Sequence, residues 1–247
     1  LVALCSIGPI LAVLILSLIF RPDGGSYTPV VIPEIGDSAA LWQLFFVTPE
    51  AITKVETATL AGEATKAAIE SQPVGGLVYF AKNLENRAQT VTLLENSQSY
   101  SKIPLFLGVD EEGGTVVRVS SNPLLRESRF ASPQRLYAEG GLDRIRSDTA
   151  EKDALLLSLG VNVNLAPVCD ISSDSASFIY PRTLGGDATE TSDFVRTVVQ
   201  QMKTDRVGMV LKHFPGYGGT ADTHTGQAVD ERPLSAFQSC DLLPFEA

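Results

Sequence analysis

The sequence has two histidines, and both lie in one stretch, KHFPGYGGTADTHTG, which covers residues 212–226. Asp222 and His224 are two positions apart, so in an extended or tightly turned backbone their side chains fall on the same side. A carboxylate beside an imidazole fixes the tautomer of the ring and stabilises its protonated form. This pattern is typical of a general acid/base pair. We predict that His224 exchanges the proton and that Asp222 orients it.

Other chemistries fit these histidines less well. A metal site needs a third or fourth ligand at a sensible spacing, and the sequence offers none that stands out. A serine hydrolase needs a GxSxG turn, which is absent from the sequence. A purely structural role is the ordinary alternative for a lone histidine, but here both lie in a Gly-rich loop after an apolar run, where functional residues concentrate.

A second polar group surrounds residues 110–118, DEEGGTVVR. An ionised carboxylate such as Asp110 accepts hydrogen bonds from sugar hydroxyls, and Arg118 in the same loop donates several. A solvated acidic turn is the alternative interpretation. Arg182 lies in another Gly-rich loop, YPRTLGG, and Lys212 ends an otherwise apolar run. Asp170 fits a pocket acid and an acceptor for loop backbone amides equally well.

Alternating apolar runs and helical segments must position these residues. Strands are predicted over residues 41–47, 75–80, 104–109, 161–168 and 207–214. Helices are predicted over residues 49–71, 87–98, 145–159 and 191–204, with Gly160 ending the third and a capping box at Ser235 opening a last one. Nearly continuous apolar strands are typical of a parallel sheet that is covered on both faces.

Two α/β architectures fit this pattern: a doubly wound open sheet and a (β/α)8 TIM-type barrel. No GxGxxG follows the first strand, which disfavours a dinucleotide-binding sheet. Polar, Gly-rich motifs instead follow strand after strand, and in a barrel these ends meet on one catalytic face. We therefore predict an α/β fold of the (β/α)8 TIM-barrel type that is incomplete, because a full barrel needs about three more strands.

The first residues differ in character from the rest. Residues 1–20 carry no charge and are long enough to span a bilayer as a helix, so we predict a transmembrane anchor or, alternatively, a cleaved signal segment. Residues 21–38 read as a linker and residues 39–247 as the barrel domain. Because residues 22–53 hold no Lys or Arg, an extracytoplasmic catalytic domain is expected, either anchored to the membrane or secreted.

The charge balance excludes one class of partner. The chain carries 19 Lys and Arg against 29 Asp and Glu, a formal charge of −10. Nucleic-acid binding needs clustered cations that neutralise phosphates, and no basic patch is present. Three scattered cysteines are too few for a disulfide framework. A carbohydrate substrate is the partner that the polar motifs favour.

Taken in order, these motifs resemble glycoside hydrolase family 3, in its β-N-acetylglucosaminidase branch. The resemblance runs from about residue 41 to the end, through VGGLVYFAKNL, LGVDEEGGTVVR, VNLAPVCDI, PRTLGG, KHFPGYGGTADTHTG and DLLPFEA. It implies a (β/α)8 barrel and a retaining mechanism on cell-wall sugars, with no metal or organic cofactor. It assigns the acid/base dyad to Asp222 and His224. It places the following residues in the sugar pocket: Asp110, Arg118, Arg182, Lys212 and His213.

The resemblance leaves two departures and several alternatives. The family's nucleophile is an aspartate in a later TDDL-like motif that this chain lacks, so the 247-residue chain alone is expected to be inactive. Tyr217 stands where many members have a second histidine. A β-glucosidase-like hydrolase and a non-catalytic sugar- or wall-binding barrel stay open, as does transfer of the sugar to phosphate instead of water.

Overall fold

Five parallel strands and the helices between them form the part of the chain that the computed structural model describes, residues 36–224 and 226–247. The strands are β1 (Phe46–Val47), β2 (Gly76–Tyr79), β3 (Phe106–Val109), β4 (Val163–Asn164) and β5 (Gly208–Met209). The longer helices are α1 (Asp37–Trp42), α2 (Pro49–Thr53), α3 (Glu63–Ser71), α4 (Arg87–Ser99), α5 (Pro133–Leu159) and α6 (Ala188–Asp205). Short helical turns follow at α7 (Leu234–Ala236), at a π-helical turn (Phe237–Asp241) and at α8 (Leu243–Glu246).

The strands are ordered β1-β2-β3-β4-β5 across the sheet, so each new strand joins the same edge. All four pairings are parallel, with Gly76 opposite Phe106 and Gly108 opposite Val163. A doubly wound sheet reverses its strand order at a switch point, and no reversal occurs in the described residues. Of the two predicted architectures, the winding therefore matches the barrel type. The prediction of a parallel α/β sheet is confirmed.

Two predicted elements near the start of this domain are wrong in extent. The strand expected over residues 41–47 is limited to Phe46–Val47, because α1 occupies Asp37–Trp42. The helix expected over residues 49–71 is two helices. Lys54 adopts a left-handed conformation with φ of 61°, which ends α2, and the chain becomes helical again only at Glu63.

The later helices also correct the predictions at their ends. Gly140 and Gly141 have non-helical backbone angles and break α5 into two parts. The second part agrees with the helix expected over residues 145–159. The first part, from Pro133, is an addition to the prediction, and the hydroxyl of Ser132 caps it by accepting a hydrogen bond from the Arg135 N–H. Gly160 ends α5 in the left-handed conformation, with φ of 93°, which confirms the predicted stop. The capping box at Ser235 is wrong, because α7 begins at Leu234 without a side-chain cap.

Two apolar clusters hold the sheet and helices together. One joins β2 and β3 to α4 and the end of α5 through buried residues that include Leu77, Leu107, Leu94 and Leu156. The other joins α5 and α6 through residues that include Ile145, Phe194, Val198 and Met202. Burying such side chains stabilises the fold by about 1.5–3 kcal/mol each. The strand ends that carry the polar motifs are thereby held on a rigid base.

No helix within residues 36–224 and 226–247 combines the length and hydropathy that a membrane crossing needs. The predicted anchor at residues 1–20 and most of the predicted linker at 21–38 lie outside the described residues. The expected extracytoplasmic location therefore stays a prediction.

Candidate active site

The loop after β3 is fixed by a buried carboxylate, Glu111. Its side chain accepts hydrogen bonds from the backbone N–H groups of Arg118, Val119 and Ser120 at 2.8, 2.7 and 3.1 Å, and from the Ser120 hydroxyl. The backbone of Glu111 also exchanges two hydrogen bonds of 3.0 Å with the side chain of Asn164 on β4. These bonds fold the loop back, so that residue 118 returns to the end of β3.

Asp110 lies at the point where β3 ends and receives two cations. Lys212 Nζ is 2.7 Å from its Oδ1, and Arg118 Nη2 is 3.5 Å from its Oδ2. The side chains of Asp110, Arg118 and Lys212 are 16%, 28% and 12% exposed. These three predicted sugar-binding residues therefore meet in one partly open cluster, where a ligand can reach them.

Glu112 is the buried support of this cluster, with its side chain only 2% exposed. It accepts two hydrogen bonds from Arg182, at 2.9 Å from Nε and 2.8 Å from Nη2, and it contacts Lys212 Nζ at 2.6 Å. Burial disfavours the charged guanidinium, but the hydrogen bonds and charge of Glu112 outweigh it and raise the pKa of Arg182. Glu112 thus holds both cations in one orientation.

A buried aspartate, Asp170, orients the first histidine. Its carboxylate accepts hydrogen bonds from His213 Nδ1 at 2.7 Å and from the backbone N–H groups of His213 and Tyr217 at 3.2 and 2.8 Å. On the other side of the ring, Arg182 Nη2 donates to His213 Nε2 at 3.0 Å. The ring therefore carries its proton on Nδ1 and accepts at Nε2. The interpretation of Asp170 as an acceptor for loop backbone amides is confirmed, and its role as a pocket acid stays a prediction.

Asp222 and His224 form a second, separate unit. His224 Nδ1 lies 2.6 Å from Asp222 Oδ1, which also accepts the His224 backbone N–H at 3.0 Å. These contacts lower the pKa of Asp222 and keep it ionised, and the charge of Arg182 contributes in the same direction. The side chain of His224 is 75% exposed, in contrast to 28% for His213. Because Nδ1 contacts the carboxylate, Nε2 is the ring nitrogen that is left to exchange a proton with a substrate or with water.

The loop that carries this unit is anchored by Arg232. Its guanidinium binds Asp230 and the buried Asp241, at 2.7 Å for the shortest contact to Asp241, and it lies over the ring of Phe237. The hydrogen bonds that Arg232 donates to both carboxylates raise its pKa. A cavity of about 280 Å³ lies beside it, between residues 213–223 and Phe237. The dyad loop is therefore tied at its base while its tip is exposed.

The structure brings five of the seven predicted site residues into one hydrogen-bonded cluster: Asp110, Arg118, Arg182, Lys212 and His213. Asp222 and His224 contact each other, and the charge of Arg182 reaches Asp222. Their catalytic role stays a prediction. Within residues 36–224 and 226–247, no three His, Cys, Asp or Glu side chains are grouped as a metal site needs.

Glu112 lies within the acidic motif, but no role for it was predicted from the sequence. A signal was available, because successive side chains of extended backbone point to opposite sides. Asp110 and Glu112 share one side and both bind Lys212, whereas Glu111 lies on the other side and binds the loop. The alternation therefore separates the two carboxylates that bind the cations of the cluster from Glu111, which holds the loop.

Comparison with known proteins identifies the family. Residues 47–247 match the model of the glycosyl hydrolase family 3 N-terminal domain. A β-hexosaminidase of Xylella fastidiosa (strain 9a5c) is 34% identical over 188 residues, which cover 72% of this chain and 54% of that protein. β-Hexosaminidase A of Pseudoalteromonas piscicida is 32% identical over 184 residues, which cover 72% of this chain and 31% of that protein.

Solved structures agree in fold. A glycoside hydrolase family 3 β-N-acetylglucosaminidase from Paenibacillus sp. str. FPU-7 superimposes with a TM-score of 0.76 at 25% identity, over 86% of this chain and 39% of that one. A family 3 glycosyl hydrolase from Mycobacterium smegmatis str. MC2 155 gives a TM-score of 0.68 at 25% identity, over 85% of this chain and 58% of that one. This chain spans about a third to a half of the length of the curated relatives named above.

Proposed function

The chain belongs to glycosyl hydrolase family 3, and from this premise we propose that the protein is a retaining exo-β-N-acetylglucosaminidase. It removes terminal β-linked N-acetylglucosamine from cell-wall or related glycans. The observation that carries the proposal is the pairing of a partly open cation–carboxylate cluster with a solvent-exposed Asp–His unit. The names of the relatives support the choice of sugar.

Within the cluster, burial sets Glu112, with a side chain 2% exposed, apart from the partly exposed residues that are open to the sugar. Asp110, Arg118 and Lys212 are partly exposed, so they contact the hydroxyls of the sugar. A lysine ammonium has three donors, and Asp110 and Glu112 take two of those on Lys212, which leaves one for a hydroxyl. Each Asp110 oxygen has capacity beyond its one cation. Glu112 is buried and acts through its cations.

His224 serves as the general acid and then as the general base. In the first step a carboxylate nucleophile bonds to the anomeric carbon, the glycosidic C–O bond breaks, and His224 Nε2 gives its proton to the departing oxygen. In the second step His224 takes a proton from water, the water oxygen bonds to the anomeric carbon, and the carboxylate leaves. Asp222 stabilises the imidazolium that exists between the turnovers and holds Nε2 toward the substrate.

None of the carboxylates in the cluster serves as the nucleophile. Asp110 and Glu112 bind cations, and Asp170 binds His213, so each is held as a support or a sugar acceptor. We therefore place the nucleophilic aspartate outside these 247 residues, as the resemblance to the family implies.

The test uses the full-length protein and β-N-acetylglucosaminides that differ in their leaving group. We expect His224→Ala to lower kcat on an alkyl or oligosaccharide substrate by about 100- to 10,000-fold, the usual contribution of a general acid. The loss should be much smaller on a dinitrophenyl glycoside, because that leaving group departs without a proton. Asp222→Asn should show the same pattern, and Glu231→Gln, an exposed acid further along the loop, is the matched control.

Three results would contradict the proposal. Equal losses on both leaving groups would mean that His224 does not protonate the departing oxygen. Equal cleavage of glucosides would favour the β-glucosidase alternative. Binding of N-acetylglucosamine without turnover by the full-length wild-type protein would favour a non-catalytic sugar-binding barrel.

A further inference from the structure

Tyr217 stands midway between the two histidines and contacts the groups around both. Its backbone N–H donates to Asp170 at 2.8 Å, the same carboxylate that orients His213. Its ring packs edge-on against His213, with the ring centroids 5.1 Å apart, and against Phe178 at 4.8 Å. These contacts attach Tyr217 to the sugar-binding cluster.

The other end of Tyr217 reaches the dyad. Its hydroxyl lies 2.7 Å from the hydroxyl of Thr223, the residue between Asp222 and His224. Thr220 closes the same loop from within, since its N–H and its hydroxyl both donate to the Tyr217 carbonyl, at 3.0 and 2.7 Å. The segment from 217 to 223 is thereby tied into a ring of hydrogen bonds.

We propose that Tyr217 is a positioning residue whose hydroxyl bond to Thr223 holds the Asp222–His224 pair at a fixed distance from the sugar-binding cluster. The inference rests on the proposed function and goes beyond it, because Tyr217 makes no contact with the substrate in that mechanism. The exposure of His224 gives the reason for the bond: a ring that is 75% exposed has little packing of its own to hold it. A one-ångström error in placing a catalytic group costs a large factor in rate.

The first test is a cycle of variants in the full-length protein, assayed on a β-N-acetylglucosaminide with a poor leaving group. Tyr217→Phe removes only the hydroxyl and should lower kcat by about 2- to 10-fold, the range that one net hydrogen bond supplies. KM should be nearly unchanged, because the cluster that holds the sugar is intact. Thr223→Val should give a similar loss, and the double variant should lose no more than either single one.

The matched control is Tyr100→Phe, which also removes one tyrosine hydroxyl hydrogen bond, from Tyr100 to the Ala61 carbonyl, away from the site. It should leave kcat and KM unchanged. A drop in kcat for Tyr217→Phe that appears equally in Tyr100→Phe would indicate general loosening and would overturn the inference. Additive losses in the double variant, or an unchanged kcat in either single variant, would overturn it as well.

A second test does not depend on turnover, so it separates this inference from the proposed function. The imidazole nitrogen signals of His224, assigned by comparison with His224→Gln, should change in Tyr217→Phe and Thr223→Val but not in Tyr100→Phe. Unchanged signals in all three would overturn the inference even if the enzyme is active. If the signals change in Tyr217→Phe and Thr223→Val but the wild-type protein has no glycosidase activity, the tether is supported and the proposed function is refuted.

Discussion

Asp153 is a buried charge whose removal should stabilise the protein at neutral and alkaline pH. It lies on α5 with its side chain fully buried, and neither carboxylate oxygen has a hydrogen-bond partner among the described residues. Burial, and then the negative charge of Asp205 at the end of α6, raise the pKa of Asp153 to about 7. Two ionised carboxylates cannot hydrogen-bond to each other, because neither has a donor. Asp153 and Asp205 can form such a bond only when one of them is protonated, which favours a proton on Asp153.

The sign of the effect follows from which state holds the proton. The folded protein keeps a proton on Asp153 up to about pH 7, whereas the unfolded chain releases it near the ordinary value of 3.8. The stability that this group contributes is therefore complete below about pH 4 and is lost as the pH rises to 7. A shift of this size corresponds to at most about 4 kcal/mol, of which about 2–3 kcal/mol is lost between pH 5 and pH 8.

The variant Asp153→Asn has no charge to bury and can donate to Asp205. We expect its free energy of unfolding, relative to wild type, to rise by about 2–3 kcal/mol between about pH 5 and about pH 8. Urea unfolding followed by circular dichroism at the two pH values measures this difference. Asp193→Asn, on the exposed face of α6, should change stability by the same small amount at both. The same increment for Asp153→Asn at both pH values, or destabilisation at pH 8, would refute the reasoning.

Further predictions concern the supports of the site. Glu112→Gln should destabilise the fold by about 3–5 kcal/mol in urea unfolding, because it leaves two cations with a neutral partner in a buried position; a loss below about 1 kcal/mol would contradict this account. Gly160→Ala should lower stability by about 1 kcal/mol, since a φ of 93° disfavours any side chain, and a thermal melt equal to wild type would argue against the strain. Arg232→Met should release the dyad loop from Asp241 and speed proteolysis within residues 213–232, whereas an unchanged cleavage rate would show that the loop is held elsewhere.

The sequence predicted the middle of the sheet better than its first strand. The residues of β2 and β3 lie in apolar runs bounded by Gly or Pro, which local pattern identifies well. Residues 41–47 form an equally apolar run, but their first two residues end α1 and only their last two enter the sheet. A short apolar run fits the end of a helix and a strand equally, so pattern alone does not decide between them.

Five residues of the cluster were predictable from the sequence, but Glu112 and the contacts between the residues were not. The types and loop positions of Arg182 and Lys212 marked them as polar groups at strand ends. Their common partner, Glu112, lies 70 residues before Arg182 in the chain, and only the parallel winding of the sheet brings the two together. Contacts of this range depend on topology, and no local spacing carries that information.

The two histidines differ in their hydrogen-bond partners, which the structure shows and the sequence does not. Both lie in one Gly-rich loop, and the sequence predicts the acid/base role for His224 and, through the family resemblance, a place in the sugar pocket for His213. The structure gives His213 a partner at each ring nitrogen, a carboxylate at Nδ1 and a guanidinium at Nε2, so it has no position from which to donate to a substrate. His224 has its carboxylate at Nδ1 and an exposed ring. Hydrogen-bond commitment, and not residue type, therefore separates His213, whose ring is held by its partners, from His224, the residue that we propose for proton transfer.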